Sequence, residues 1–147
     1  MFHVYKLHLS DEIAAVVNSK GWSRSPEGAA YAALRSISAD NTSLTVHVLT
    51  AALMGLYHHG LSAEAPSLTD LFDYDNGAPF ETGVKPIYHC KGLSSMSVGD
   101  VVIHKGGYVS VVCSYGWATL PERAALAFAV MAKKIACERP NALPEAA

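Results

Sequence analysis

Cysteine and histidine side chains are the residues of this sequence that could form a nucleophilic pair. Cys113 lies in an apolar, strand-like segment, and His89 and His104 lie in the two strand-like segments before it. A cysteine nucleophile needs an accessible thiolate with an imidazole within hydrogen-bond reach. The period of two in a strand, however, places Cys113 on the same side as Val109 and Val111, so we expect its thiol to lie in the apolar core. We therefore assign no catalytic residue.

Seven histidines and three cysteines would be enough ligands for a zinc site. Their spacing argues against one, because His58–His59 and His89–Cys90 are adjacent pairs whose side chains point apart on a helix or strand. The sequence also lacks the H-x-x-x-H and C-x-x-C patterns that place two ligands on one side of an element. We expect no metal ion and no cofactor.

Acidic residues are concentrated in the middle of the chain. Between Arg35 and Lys85 there is no lysine or arginine, whereas six residues are acidic. Asp73 and Asp75 lie near the C-terminal end of a short predicted helix, where negative charge opposes the helix dipole, and Glu81 lies in the loop that follows. Asp70, Asp73 and Asp75 lack the regular spacing and closing glutamate of a calcium-binding loop. We expect Asp73, Asp75 and Glu81 to contact a basic patch of a partner protein, although a solvated loop is the alternative.

Tyr115 and Trp117 follow the last predicted strand and are a second candidate contact for a partner, because exposed aromatic side chains often anchor interfaces. The alternative is that they fill the core between the sheet and the C-terminal helix. Gly106 and Gly107 separate two strands rather than a strand and a helix, so they do not form a phosphate-binding loop. Instead, they predict a hairpin turn with positive φ at one or both glycines.

Composition restricts the class of protein. Of the 147 residues, 50% are hydrophobic and 16% are charged, which is typical of one folded domain with a substantial core. A net charge of -2 gives no reason to expect nucleic-acid binding. The odd number of cysteines, the charged N-terminal segment and the lack of a long apolar run predict a cytoplasmic protein that does not bind membranes. We expect one domain over 1–140 and a frayed tail over 141–147.

Hydrophobic periodicity and capping signals predict both helices and strands. The predicted helices cover about residues 11–20, 26–37, 50–59, 67–72 and 120–138. The predicted strands cover about residues 2–9, 44–48, 86–90, 100–104 and 108–114, the first with one face toward solvent. The region 44–59 is open, because its β-branched start is equally compatible with a single helix. These elements predict an α+β fold in which a small, mostly antiparallel sheet has helices packed on one face, including a long C-terminal helix.

The segment before the predicted hairpin has the pattern of an ordered turn. Ser97 and Gly99 can build the turn, and Asp100 can accept hydrogen bonds from its backbone amides. Val101 then enters the sheet. These roles are structural and require no chemistry.

This segment and its surroundings resemble the YodL-like domain and other small uncharacterised proteins of phages, plasmids and other mobile elements. The likeness extends from about Ser67 to Leu120 and covers about a third of the chain. The matching residues are Leu68, Leu71, Phe72, Asn76, Ser95, Ser97, Val98, Gly99, Asp100, Val101, Cys113, Gly116 and Trp117. The resemblance implies a mobile-element origin, and it implies no activity.

The sequence is compatible with three functions. The first is a non-enzymatic accessory protein of a phage or mobile element that binds a partner protein and inhibits a host defence or regulatory complex, its origin being implied by the resemblance. The second is a small enzyme that uses Cys113 or Cys90 with a histidine. The third is a self-associating structural protein, for which the simplest form is a homodimer.

Overall fold

The computed structural model describes residues 1–90 and 92–137. In these residues, five helices and a six-stranded antiparallel sheet form an α+β fold, which confirms the predicted class. The strands are β1 (Phe2–Leu7), β2 (Tyr57–Glu64), β3 (Lys85–His89), β4 (Val101–His104), β5 (Val109–Cys113) and β6 (Gly116–Thr119). The helices are α1 (Asp11–Lys20), α2 (Pro26–Arg35), α3 (Leu44–Leu53), α4 (Leu68–Asp75) and α5 (Glu122–Cys137). The predicted tail over 141–147 lies outside the described residues.

Three helices begin where the capping signals predict. The hydroxyls of Ser10, Ser25 and Ser67 each accept a hydrogen bond from the amide three residues later. Each bond satisfies one of the backbone donors that the first turn of a helix leaves unpaired. None of the described helices has the length and apolar character that a membrane span requires.

The first strand lies inside the sheet, which has the order β3-β2-β1-β4-β5-β6. The expectation that one face of this strand meets solvent is wrong, because its last four residues, including Lys6, are buried. The alternation of apolar and polar residues has a different cause here. Both faces of the sheet are covered, and the lysine is buried against a carboxylate of α4.

The region 44–59 is neither a strand followed by a helix nor one helix. Leu44–Leu53 forms α3, which buries Val48, Ala51 and Ala52, and Tyr57 then begins β2. Gly55, with a φ of 76°, separates the two elements. Strand propensity is a weak preference, and burial of one side of α3 outweighs it. The small and polar residues of β2 carry little strand signal, although most of them are buried in the sheet.

Two apolar cores lie on the two faces of the sheet. Leu34, Val48 and Phe128 bring α2, α3 and α5 onto one face. On the other face, Leu71 of α4 and Met96 pack against the sheet. Most of the helical structure therefore lies on one face, as predicted, and the short α4 covers the other.

The C-terminal helix does not bury all of its large apolar residues. The helical spacing of Leu126, Val130, Met131 and Ile135 predicts one apolar side, but Leu126 and Val130 are exposed. The core side is formed mainly by alanines and Phe128, with Met131 and Ile135 half-buried beside them. Alanine is compatible with either side of a helix. A prediction based only on the larger apolar residues therefore assigns the buried side incorrectly.

The turn between β4 and β5 requires glycine, which can be tested by substitution. Gly106 and Gly107 have φ values of 94° and 93°, and a Cβ built on either would meet no atom within 4 Å. Gly107→Val should therefore destabilise the protein through backbone strain alone, by about 1–3 kcal/mol. Thermal melting measures this loss. The matched control is Lys105→Val in the same turn, where φ is not positive, and equal melting temperatures for the two variants would contradict the expectation.

Candidate functional site

The segments that carry the YodL-like resemblance meet around one cavity of about 450 Å³. The cavity lies between α4, the turn that precedes β4, and the hairpin formed by β5 and β6. Its lining residues are Thr69, Phe72, Ser97, Val98, Val112, Cys113, Ser114, Gly116 and Trp117. Residues more than 40 positions apart in sequence thus form a common wall, and Trp117 is one of the predicted partner contacts.

Aromatic packing and hydrogen bonds between side chains and the backbone connect the walls of the cavity. The rings of Phe72 and Trp117 meet edge to face, with centroids 6.2 Å apart. Asn76 Nδ2 donates to Phe72 O at 2.9 Å and to Met96 O at 3.2 Å, which ties the end of α4 to the turn before β4. Met96 N also donates to Asp75 Oδ2 at 2.7 Å. The walls are therefore held by the fold before any ligand arrives.

Asp100 organises the turn beside the cavity. Its two carboxylate oxygens accept hydrogen bonds from Ser97 N and Leu7 N, both at 2.8 Å, and Arg35 Nη1 lies 3.1 Å from Oδ1. Burial raises the pKa of this carboxyl to about 6, although Arg35 and the backbone donors oppose the shift. The turn is therefore joined to β1 and α2 through one buried carboxylate.

Gly99 allows the turn to approach α2 closely. Its φ is +95°, and a Cβ at this position would lie 2.8 Å from Leu34 O. Tyr57 Oη donates to Gly99 O at 2.8 Å, and burial raises the pKa of Tyr57 well above its usual value. Only glycine fits this position.

The outer edge of β6 lies next to the cavity. Among the described strands, β6 pairs only with β5, with Trp117 opposite Val112 and Thr119 opposite Ser110. Leu120 N donates to Val109 O, and hydrogen-bonded pairs alternate along an antiparallel ladder. The backbone groups of Trp117 and Thr119 therefore point away from β5, toward the outer edge.

The structure separates the predicted partner contacts. Asp73 is half-buried on α4 beside Phe72, and Glu81 is exposed in the following loop, where its carboxylate accepts a hydrogen bond from Gly83 N. Tyr115 is 96% exposed in the turn between β5 and β6. Asp75 is not available to a partner, because its side chain is only 3% exposed and its Oδ2 lies 2.8 Å from Lys6 Nζ.

The ion pair of Lys6 and Asp75 is one of two buried polar clusters that the sequence analysis did not identify. Lys6 Nζ also donates to Ser94 O at 2.8 Å, and His89 Nε2 lies 3.9 Å from Asp75 Oδ1. These side chains line a separate cavity of about 350 Å³. Nothing in the local sequence indicates this contact, since β1 and α4 are joined only by the tertiary fold.

The second cluster lies on the face of β1 and β2 that α2, α3 and α5 cover. Ser62 Oγ lies 2.6 Å from His3 Nδ1 and 2.7 Å from His59 Nε2. One hydroxyl proton serves only one of these nitrogens, so the other imidazole must donate its own proton. Burial and the N-terminal charge lower the pKa of His3, and burial raises that of Tyr5, stacked on His59, to about 12. Both shifts favour the uncharged forms in this cluster.

The structure does not bring Cys113 together with the histidines considered for a nucleophilic pair. Cys113 packs with Val109 and Val111, and burial raises the pKa of its thiol. His104 binds Ser110 on the opposite face of the sheet. His89 is on β3, four strand spacings from β5, which corresponds to roughly 19 Å. Cys90 is also buried.

Within residues 1–90 and 92–137, no group of three or more His, Cys, Asp or Glu side chains is arranged to hold a metal ion. Comparisons of this chain with protein families, curated proteins and solved structures give no significant match. The YodL-like resemblance therefore stays a prediction from the sequence.

Proposed function

We propose that this protein is a non-enzymatic binding protein that holds an extended segment of a partner protein along the outer edge of β6. An apolar side chain of that segment would occupy the cavity beside Phe72 and Trp117. The observation that carries this proposal is the position of an outward-facing strand edge directly beside a preformed, aromatic-lined cavity.

Addition of a strand to a sheet edge combines two sources of binding energy. The backbone groups of Trp117 and Thr119 supply hydrogen bonds that do not depend on the partner's sequence, and a pocket for alternate side chains supplies specificity. Residues that face each other across a strand pair lie on the same side of the sheet. A partner residue opposite Trp117 is therefore on the side where the cavity opens.

The charges near the cavity favour a basic partner segment. Asp70 and Asp73 lie on α4 within one turn of Thr69 and Phe72, which line the cavity. Lys6 pairs with Asp75 and Arg35 with Asp100, whereas neither Asp70 nor Asp73 forms an ion pair within the described residues. Lysine or arginine beside the apolar residue of the partner would thus be attracted to this surface, more strongly at low salt.

Inhibition of a host defence or regulatory complex is the more specific form of this proposal. It rests on the resemblance to small mobile-element proteins, whereas the binding mode rests on β6 and the cavity. The two parts can therefore fail separately.

The binding mode is tested by selection from a library of displayed peptides about eight residues long. We expect enriched peptides to contain one large apolar residue with lysine or arginine nearby. Trp117→Ala should weaken the binding of a selected synthetic peptide about tenfold or more, because it removes one wall of the cavity. Thr119→Pro should have a similar effect, because it removes an outward-facing amide without removing a hydrogen bond to β5. Calorimetric titration measures both.

One control variant separates binding from stability, and a second variant tests the contribution of charge. Trp22→Ala removes the other tryptophan, which is exposed, packs on Tyr31 and does not line the cavity. This variant should leave peptide affinity unchanged. Asp73→Lys should weaken binding mainly at low salt. Failure to enrich any peptide, or equal affinity of a selected peptide for the parent protein and the Trp117→Ala variant, would refute the proposal.

A further inference from the structure

We propose that the exposed side of α5 pairs with α5 of a second copy of this protein, antiparallel to it about a twofold axis. The groove beside this surface shares Thr119 with the outer edge of β6, whereas the cavity at Phe72 and Trp117 has other lining residues. The inference does not depend on the proposed function.

The exposed side of α5 has the residues of a helix interface. Leu126 and Val130 are 63% and 66% exposed and lie one turn apart, where a solvated helix would usually carry polar side chains. Leu126 also lines a groove of about 540 Å³ together with Tyr108, which is exposed on the neighbouring hairpin. Leu126 and Tyr108 therefore line a concave surface that no described part of the chain covers, and the exposed Val130 extends the apolar surface one turn along α5.

Charges at the two ends of this surface identify a second copy as the occupant. Glu122, Leu126, Val130 and Lys134 follow one another at intervals of four and form a single ridge along α5. Glu122 lies in the first turn of the helix and Lys134 in the last turn of its described part. The ridge is thus acidic at one end, apolar in the middle and basic at the other end.

Such a ridge is complementary to itself when it is reversed. Ridges of this spacing pack against each other with the helix axes about 50° from alignment. A twofold axis that crosses the exposed side of α5 at the level of residue 128, the midpoint of the ridge, places Glu122 of each copy beside Lys134 of the other. It also places Leu126 of each copy beside Val130 of the other. A twofold interface requires exactly such a self-matching surface. A parallel arrangement would instead bring like charges together.

Sedimentation equilibrium of the full chain tests this arrangement. One helix from each copy makes a small interface, so we expect a reversible dimer that forms between about 5 and 500 µM. Val130→Asp should weaken dimerisation about tenfold or more, because it places a charge in the apolar centre. Glu122→Lys and Lys134→Glu should each weaken it, whereas the double variant should restore it, because the swap recreates opposite charges across the axis.

The swap is the decisive comparison, because a folding defect in either single variant would not be repaired by the other. Lys20→Glu is the matched control, since Lys20 is also an exposed base in the last turn of a helix. It should leave dimerisation unchanged. A parent protein that stays monomeric over the whole range would overturn the proposal. So would a dimer insensitive to Val130→Asp, or one that the charge swap does not restore.

Discussion

Replacing Asp100 with asparagine is expected to lower the free energy of unfolding by about 3 kcal/mol at pH 7.5, where the carboxyl is ionised. The carboxylate is fully buried and accepts hydrogen bonds from Leu7 N and Ser97 N as well as from Arg35. Asparagine keeps the size of the side chain, but only one of its two terminal atoms accepts hydrogen bonds, so its amide group faces a donor of Leu7, Ser97 or Arg35 and leaves that donor unpaired. Urea unfolding measures the loss.

Asp40→Asn is the matched control for this substitution. Asp40 is exposed and its carboxylate binds only Ser38 Oγ among the contacts described, so its replacement should change stability by less than about 0.5 kcal/mol. The effect of a surface substitution is on the order of 1 kcal/mol or less. If the free energy of unfolding of Asp100→Asn is within about 1 kcal/mol of that of the parent protein, then Asp100 does not organise the turn.

Replacing Lys6 with methionine is expected to cost about 3–5 kcal/mol of stability, because it leaves the carboxylate of Asp75 buried without its counter-charge. Adding Asp75→Asn to this variant should recover part of the loss. The second substitution removes the unpaired charge, and the asparagine oxygen can still accept the hydrogen bond from Met96 N. The two substitutions should therefore be strongly non-additive in urea unfolding.

Glu64→Gln provides the comparison with an exposed ion pair. Glu64 lies 3.1 Å from the N-terminal ammonium, and both groups are accessible to solvent. Its replacement should cost less than about 1 kcal/mol. A similar small effect for Lys6→Met, or an additive double variant, would show that Lys6 and Asp75 do not act as a buried pair.

Local signals in the sequence were sufficient for features that depend on neighbouring residues. The serine caps of α1, α2 and α4 act within three residues, so the starts of these helices could be predicted. The same holds for Gly106 and Gly107, whose positive φ values follow from a tight turn. The strand period likewise placed Cys113 with Val109 and Val111 in the core.

Features that depend on distant parts of the chain could not be predicted in this way. The β-branched start of α3 favoured a strand, and only its packing against α2 and α5 makes it helical. Asp75 was assigned to a partner surface because its charge is visible in the sequence while its counter-charge, on β1, is 69 residues earlier. The spacing of Leu126 and Val130 with Met131 and Ile135 predicts a shared buried side, but alanines and Phe128 form the buried side instead.

The sequence by itself thus determined the α+β class, most helix starts, the glycine turns and the structural character of the segment around Asp100. It did so because caps, turns and strand periods are set by residues a few positions apart. The tertiary structure alone decided which charges are buried, which side of α5 is exposed and that Phe72 and Trp117 share a cavity beside the edge of β6. These features arise from contacts between elements that are far apart in the chain, and the local pattern of residue types does not encode such contacts.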